Sequence, residues 1–191
     1  QHFLLRCPRT VMAIKSTIFR ATLGVSDLDR GYYAEHNLTL ARHPSETDER
    51  MMVRILAFAL NADERLQFGR GISTDDEPAL WLKDDTGRIL KWIEVGLPDE
   101  RLLRRAAGRA DEVILLTYGG RTVDIWWQKE SATLSKLNNL TVLSLAVEDS
   151  RALAALAERN MTLTCTVQDG QIWFSAGDTT LGITLRQIFP T

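Results

Sequence analysis

The chain has 191 residues, of which 45% are hydrophobic and 25% are charged, and its formal net charge at pH 7 is -2. These values are ordinary for a globular domain, and the near-neutral total does not imply a strongly charged partner, although a local basic patch stays open. No apolar run reaches the roughly 18 residues of a membrane span, and two cysteines without metal-ligand spacing favour a reducing compartment. We therefore expect a cytoplasmic protein with no membrane partner, in which Cys7 and Cys165 are both reduced.

Residues 1–11 resemble a signal peptide only superficially. Their apolar part covers residues 3–5, whereas a secretory core has roughly 7–15 apolar residues. Met12 and the sequence after it are typical of a natural start. We interpret residues 1–11 as an upstream extension or a vector-derived segment, and we expect residues 12–191 to form a single domain.

The domain begins with two strands and one long helix. Alternating apolar and polar residues predict strands over 15–28 and 34–42, which can pair as a hairpin. A wide apolar face over residues 51–59 predicts the helix. Ser45 is its expected N-cap, and Asp48 three residues later resembles the second member of a capping box.

Shorter elements fill the rest of the domain. In chain order they are a strand at 65–72, a hairpin with strands at 80–83 and 89–97, a helix from 99 to about 110, a strand at 112–119, a helix at 121–137, a strand at 140–146, a helix at 150–159 and three strands within 161–188. Gly87 supplies the turn of the hairpin, and Asp99 caps the helix after it. This order predicts an α/β or α+β fold, in which a mixed β-sheet is flanked by helices and extra antiparallel strands from both termini add a second layer.

Four long stretches, LARHPSETDERMMVRILAFAL, ADERLQFGRGI, DDEPALW and WIEVGLPDERLLRRA, resemble the YaeQ family of bacterial proteins. The resemblance extends over residues 12–190. It implies a variant of the PD-(D/E)xK nuclease fold, and therefore a restriction-endonuclease-like core with magnesium-dependent chemistry. In such nucleases an Asp and a second acidic residue on neighbouring strands share a divalent cation, and a lysine two residues after the second acid helps to organise the water.

Part of that motif is present in this chain. Glu94 matches the second acidic residue and Pro78 matches the proline, but Ala79 stands at the Asp position and Gly96 at the lysine position. The loss of both side chains favours a protein that kept the fold and lost the chemistry. A carboxylate inside a strand is nevertheless costly unless something compensates it, so the position of Glu94 needs an explanation.

Four other residues can complete a site around Glu94. Glu77 or Asp76 can replace the missing Asp, and these two residues with Glu94 are the expected ligands of Mg²⁺. Lys83 has the same strand parity as Glu77 and can supply an ammonium group. Glu49 lies at the edge of the apolar helix face, from which a carboxylate can reach the sheet.

Each of these candidates has a structural alternative. Glu46, close to Glu49 in the sequence, is expected to point further towards solvent. The structural alternatives are a solvated turn for residues 75–77, an ion pair with Arg105 or Lys83 for Glu94, and a helix-dipole charge for Glu49.

A second pattern concerns phosphate contacts. Arg101, Arg104 and Arg105 share one side of the helix after Asp99 and can follow a nucleic-acid backbone, although an ordinary solvated face has the same pattern. Two functional hypotheses result. The first is a magnesium-dependent, nuclease-like phosphodiesterase that acts on nucleic acid. The second is a non-catalytic nucleic-acid- or protein-binding regulatory module that kept the nuclease fold.

Overall fold

Eleven strands and four helices are present in the part of the chain that the computed structural model describes, residues 15–70 and 76–191. The strands are β1 (Thr17–Asp27), β2 (Tyr32–Arg42), β3 (Leu66–Phe68), β4 (Leu80–Lys83), β5 (Ile89–Val95), β6 (Ala110–Thr117), β7 (Leu140–Leu145), β8 (Asn160–Gln168), β9 (Gln171–Ala176), β10 (Thr179–Ile183) and β11 (Leu185–Phe189). The helices are α1 (Asp48–Leu60), α2 (Glu100–Arg109), α3 (Arg121–Leu134) and α4 (Val147–Ala154). The strands divide between a sheet of five and a sheet of six.

The five-stranded sheet combines strands from both ends of the described chain, in the order β10-β9-β8-β1-β2. β1 and β2 form the predicted hairpin, in which Thr17 lies opposite Arg42. The prediction that strands from both termini form a separate layer is therefore confirmed. The prediction that this layer is purely antiparallel is wrong, because β1 and β8 run parallel. The long segment between these two strands forms most of the other sheet and is long enough to act as a crossover connection.

The six-stranded sheet has the order β11-β7-β6-β5-β4-β3. Its three central strands, β5, β6 and β7, are parallel and are joined by α2 and α3, whereas the other three run antiparallel to their neighbours. The two crossover helices cover one face of the sheet, where they bury Trp92, Leu103, Leu115 and Val123. A mixed sheet flanked by helices, as the sequence predicts, is therefore present.

Helix α1 lies between the two sheets. It contacts β5 of one sheet and β1 of the other, and α4 packs on α1 and β10. Every residue from 51 to 59 is buried, including Arg54. Met52 and Leu56 belong to the hydrophobic core that joins the two sheets, which is the role that the wide apolar face predicts.

The start of α1 differs from the prediction. Thr47, and not Ser45, is the N-cap, because its hydroxyl oxygen accepts a hydrogen bond of 3.1 Å from the N–H of Arg50. Ser45 instead interacts with His43, whose Nδ1 lies 2.6 Å from the serine hydroxyl oxygen. Both residues are chemically suitable caps, so the local fold of the preceding turn decides between them.

The C-terminal third differs at two points. Helix α4 covers Val147–Ala154, and not residues 150–159. The tail forms four strands instead of three, because β11 leaves the five-stranded sheet and pairs with β7 of the other sheet. Apolar alternation predicts that a segment is a strand, but it does not say which sheet the strand joins.

The sequence also leads to expectations about the upstream segment, the cysteines and the cellular location. Residues 1–11, and with them Cys7, lie outside the described residues, whereas Cys165 is buried in β8. Among the described residues, no helix is long and apolar enough to cross a membrane. The cytoplasmic location and the reduced state of the two cysteines stay predictions.

Candidate functional site

Glu94 lies near the end of β5, one of the central strands of the six-stranded sheet. The hairpin register pairs Leu80 with Ile93 and Trp81 with Trp92, so Ala79, just before β4, lies opposite Glu94. Glu94 is only 6% exposed. The two positions at which the motif has its acidic residues are therefore neighbours, as the sequence predicts, and only one of them carries a carboxyl group.

A backbone amide compensates the buried Glu94. The N–H of Ala79 donates a hydrogen bond of 2.7 Å to Glu94 Oε1. Burial raises the pKa of Glu94 to about 7, while the Ala79 hydrogen bond and the charge of Arg50 act in the opposite direction. Near neutral pH the carboxyl group is thus divided between its protonated and ionised forms, and its partner is neither Arg105 nor Lys83.

Glu49 has a partner in another layer of the molecule. The hydroxyl of Ser150, in α4, donates a hydrogen bond of 2.7 Å to Glu49 Oε1. By strand alternation, Glu94 shares a sheet face with Trp92 and Leu115, which is the face covered by α2 and α3. Helix α1 packs on the opposite face, but its Arg50 is close enough to lower the pKa of Glu94. The hydrogen bond of Glu49 links α1 to α4.

The two acidic residues before β4 face different arginines. The N–H of Arg70 donates a hydrogen bond of 2.9 Å to Glu77 Oε2. The side chain of Asp76 is 86% exposed, and its Oδ1 lies 3.6 Å from Arg105 Nη1. Arg109 donates a longer hydrogen bond, 3.3 Å, to the backbone oxygen of Asp76. This acidic turn therefore pairs with basic side chains, two of which, Arg105 and Arg109, belong to α2.

Lys83 also has a partner of its own. Its Nζ lies 3.5 Å from the centre of the Trp81 ring, in a cation–π contact. Trp81 in turn meets Trp92 edge to face, with ring centres 6.1 Å apart. The ammonium group is therefore held over an aromatic ring on the hairpin.

These contacts bear on the expected magnesium site. In the described part of the chain, no three side chains of the types His, Cys, Asp and Glu lie close enough to share a metal ion. Glu94 offers one carboxyl group, and the nearby positive charge of Arg50 lowers its pKa, as a bound cation would. At this position the described residues therefore offer a Mg²⁺ ion one buried carboxyl group, and water would have to supply most of its other ligands. Magnesium binding through Glu94, Glu77 and Asp76 stays a prediction.

Helix α2 presents a basic surface, which we call the arginine face and which consists of Arg101, Arg104, Arg105 and Arg109. All four are exposed, while Leu103 and Ala106 face the sheet. Asp99 fixes the start of the helix, because its Oδ1 accepts hydrogen bonds of 2.8 and 3.2 Å from two backbone N–H groups. The placement of the arginines on one exposed side is as the sequence predicts.

Two acidic residues neutralise part of the arginine face. Glu100 Oε2 lies 2.9 Å from Arg104 Nε, and Asp76 makes the longer contact with Arg105. Arg101 has no ion-pair partner among the described residues. A surface cavity of about 330 Å³ lies beside it, lined by Asp99, Arg101, Leu102 and Arg105. The N-terminal half of α2 thus offers a guanidinium group next to open space.

A buried ionic cluster was not expected from the sequence. The sequence predicts that Glu46 points towards solvent, but this residue is only 5% exposed. Its two oxygens accept hydrogen bonds of 2.7 and 2.8 Å from the guanidinium of Arg54. Arg50 donates a third hydrogen bond, 2.8 Å, to Glu46 Oε1. In the sequence these three residues are spaced four apart, at positions 46, 50 and 54, and this spacing indicates that they can be neighbours. It does not indicate that they are buried, because burial requires that α1 is covered on both sides.

Comparison with known proteins gives a consistent result. The chain matches the family model described as "YaeQ protein" over residues 12–185. Over 174 residues it is 50% identical to "Uncharacterized protein YaeQ" of Escherichia coli (strain K12), covering 91% of this chain and 96% of that protein. The corresponding protein of Salmonella typhi is 48% identical over the same shares of the two chains.

Two crystal structures are similar to this fold. The YaeQ protein from Xanthomonas axonopodis pv. citri superposes with a TM-score of 0.87 at 47% identity, covering 91% of this chain and 98% of that chain. The YaeQ protein from Pseudomonas syringae superposes with a TM-score of 0.88 at 36% identity, covering 92% of this chain and 97% of that chain.

Proposed function

The chain belongs to the YaeQ family, and from that premise we propose that it is a non-catalytic nucleic-acid-binding module built on a restriction-endonuclease-like core. The proposed restriction-endonuclease-like core consists of the six-stranded sheet, with α1 on one face and α2 and α3 on the other. The observation that supports binding is the arginine face of α2. The observation that supports the loss of catalysis is the single carboxyl group at Glu94.

The arginine face has a geometry that suits a phosphate backbone. Arg101, Arg105 and Arg109 follow one another at intervals of four residues, and therefore advance about 6 Å along the helix at each step. Guanidinium groups form paired hydrogen bonds with phosphate oxygens, which makes arginine well suited to such contacts. Because Asp76 and Glu100 neutralise part of this surface, we expect modest, salt-sensitive affinity.

Metal-assisted hydrolysis of a phosphodiester needs several groups that act together. A nucleophilic water must be activated and the leaving oxygen must be stabilised. At this site Glu94 Oε1 is occupied by the Ala79 amide, the aspartate position is an alanine, and the lysine position is Gly96. The contacts favour a structural role for Glu94, which leaves binding as the activity of the module.

The experiment is a binding titration with a matched control. Fluorescence anisotropy of labelled single-stranded and duplex oligonucleotides should show binding that weakens with salt. For a single-strand complex in which three phosphates contact the arginines, the logarithm of the binding constant should fall with the logarithm of the salt concentration with a slope of about -2. The double variant R101Q/R105Q should bind roughly tenfold more weakly and lose most of this slope. The control R20Q/R151Q removes two exposed arginines outside α2 and should bind as the wild type does. No binding at low salt, or equal loss in both variants, would contradict the proposal.

A catalytic second candidate rests on one observation, the buried position of Glu94 beside the aspartate position of the motif. On this alternative the chain is a magnesium-dependent, nuclease-like phosphodiesterase. Millimolar Mg²⁺ should then raise the melting temperature, because a ligand at 100 times its Kd adds about 2.7 kcal/mol of stability. The Glu94→Gln variant should lose both this gain and any cleavage of DNA or RNA. A melting temperature that ignores Mg²⁺, with no cleavage by the wild type, rejects this candidate.

A further inference from the structure

A gap remains on the face of the six-stranded sheet that packs against α1. Helix α1 ends at Leu60 and packs against β5, while α4 packs mainly on α1 and β10. Leu143 of β7 and Leu185 of β11 are consequently only half-buried. The fold therefore leaves an aliphatic hollow between the end of α1 and the strands β5, β6, β7 and β11.

The hollow has a size and a wall suited to a small apolar group. Its volume is about 220 Å³. A dry apolar cavity of about 150 Å³ binds one benzene molecule, so this hollow has room for an aliphatic chain of about six carbon atoms. The aliphatic residues of the wall are Ala57, Leu60, Ile93, Ile114, Leu116, Leu143 and Leu185. An apolar wall of this extent favours a hydrocarbon guest over water.

Glu112 is the one charged residue of this wall, all of whose residues are described. Its side chain is 44% exposed, so a partner can reach its carboxylate without losing all contact with water. Lys91 forms an ion pair with Glu112, but the distance of 3.7 Å from Nζ to Oε2 is beyond hydrogen-bond distance. The carboxylate therefore keeps its capacity to accept hydrogen bonds from a cationic group in the hollow.

We propose that this hollow binds a small aliphatic ammonium compound, with its hydrocarbon chain against the leucine and isoleucine wall and its ammonium group on Glu112. Because Lys91 pairs with Glu112 only at 3.7 Å, an ammonium group that donates a hydrogen bond to this carboxylate can take the place of Lys91. The site is separate from the nucleic-acid interface, because the hollow and α2 lie on opposite faces of the six-stranded sheet. The two proposals can therefore stand or fall independently.

The test uses three probes of equal length and different charge. Hexylammonium, 1-hexanol and hexanoate are titrated into wild-type protein carrying ¹³C-labelled methyl groups. Hexylammonium should shift the methyl signals of Leu60, Leu143 and Leu185, with a dissociation constant about tenfold below that of 1-hexanol, since a hydrogen bond to a charged group is the stronger one. Hexanoate should leave these signals unchanged. Absence of shifts with hexylammonium, or equal affinity for hexanoate, overturns the proposal.

Variants separate the roles of charge and space. Glu112→Gln should reduce the affinity for hexylammonium to that for 1-hexanol, whereas Glu158→Gln, at an exposed position on the chain, should preserve the preference. Leu143→Trp should fill the hollow and abolish binding of both compounds. If Leu143→Trp does not fold, Leu185→Trp, on an edge strand, should fill the hollow instead and abolish binding in the same way. Unchanged binding in a folded, filled variant places the ligand elsewhere and overturns the proposal.

Discussion

The carboxyl groups of Glu94 and Glu46 are both buried in this protein, but their partners differ. Glu46 receives three hydrogen bonds from two guanidinium groups, whereas Glu94 receives one from a backbone N–H. A buried charge is tolerated when it is paired, and a poorly paired carboxyl group tends to keep its proton. The two residues should therefore respond differently to pH and to substitution.

The first prediction concerns the pH dependence at Glu94. Its pKa is about 7 in the folded protein and near 4.5 in the unfolded chain, so the folded state binds the extra proton between these values. Stability from this group is complete below about pH 4.5 and falls as the pH rises through 7, with a total loss of about 3 kcal/mol. Glu94→Gln removes this loss and retains an oxygen for the Ala79 amide.

Urea unfolding at several pH values between about 5 and 8 measures this effect. The free energy of unfolding of Glu94→Gln relative to wild type should increase with pH up to about 7 and then level off. Glu158→Gln, at an exposed position, is the control and should follow the wild-type curve. Parallel curves for wild type and Glu94→Gln would show that the carboxyl group is ionised in the folded protein throughout this range.

The second prediction concerns the buried pair of Glu46 and Arg54. Arg54→Met should lower the free energy of unfolding by about 3–5 kcal/mol, because it leaves a buried carboxylate without its main partner. The double variant E46M/R54M should recover much of this loss, since no charge then remains to be compensated. Asp48→Asn is the control: it breaks the exposed ion pair with Arg42 and should cost less than about 1 kcal/mol. A double variant no more stable than Arg54→Met would contradict this explanation.

At the scale of secondary-structure elements, the ends of α1 and α2 show two outcomes of the same chemistry. Asp99 caps α2 as its sequence position predicts, with bonds to two backbone N–H groups. At α1 the sequence predicts Ser45 as the N-cap, but the N-cap is Thr47. A capping residue must precede the first helical turn with an extended backbone, and the fold of the chain before α1 places Thr47 in that position.

The third prediction tests this assignment. Thr47→Ala should reduce the free energy of unfolding by about 1 kcal/mol, because it removes the acceptor for the Arg50 N–H. Ser45→Ala is the matched control, and it should cost less than about 0.5 kcal/mol because an exposed surface position lies outside the cap. The measurement is thermal or urea unfolding of both variants. A larger effect at Ser45 than at Thr47 would restore the original capping-box assignment.

At the scale of the whole molecule, α1 connects the two sheets. Its buried residues face β1 on one side and β5 on the other. Separation of either sheet from α1 would therefore expose apolar surface on the sheet and on the helix. The five-stranded sheet also needs both ends of the described chain. This arrangement predicts that the two sheets unfold together.

The fourth prediction is a single cooperative transition. Tryptophan fluorescence reports mainly on the six-stranded sheet and its covering helices, whereas labelling of Cys165 reports on β8 of the five-stranded sheet. Burial raises the pKa of Cys165 to about 12, so its thiol should react only on unfolding. In a Cys7→Ser background, both probes should give the same midpoint in urea.

Substitution of Leu56 sharpens this test. Leu56→Ala should lower the stability by about 2–5 kcal/mol and move both midpoints equally, because the leucine is fully buried in the shared core. Leu181→Ala, at a half-buried position on the edge strand β10, should cost much less. Two separate transitions, or a shift of only one midpoint by Leu56→Ala, would show that the sheets fold independently.

The amino-acid sequence by itself determined the type of most elements, the family, the hairpin that brings Ala79 beside Glu94, and the exposed arginines of α2. These follow from apolar periodicity, turn residues and capping chemistry, all of which act over a few neighbouring residues. Only the tertiary structure decided which sheet each strand joins, which side chains meet Glu46, Glu49, Asp76 and Glu77, and that α1 is covered on both sides. The physical reason is that burial and ionic partners arise from residues distant in sequence, so a carboxylate that local pattern places towards solvent can end in the core.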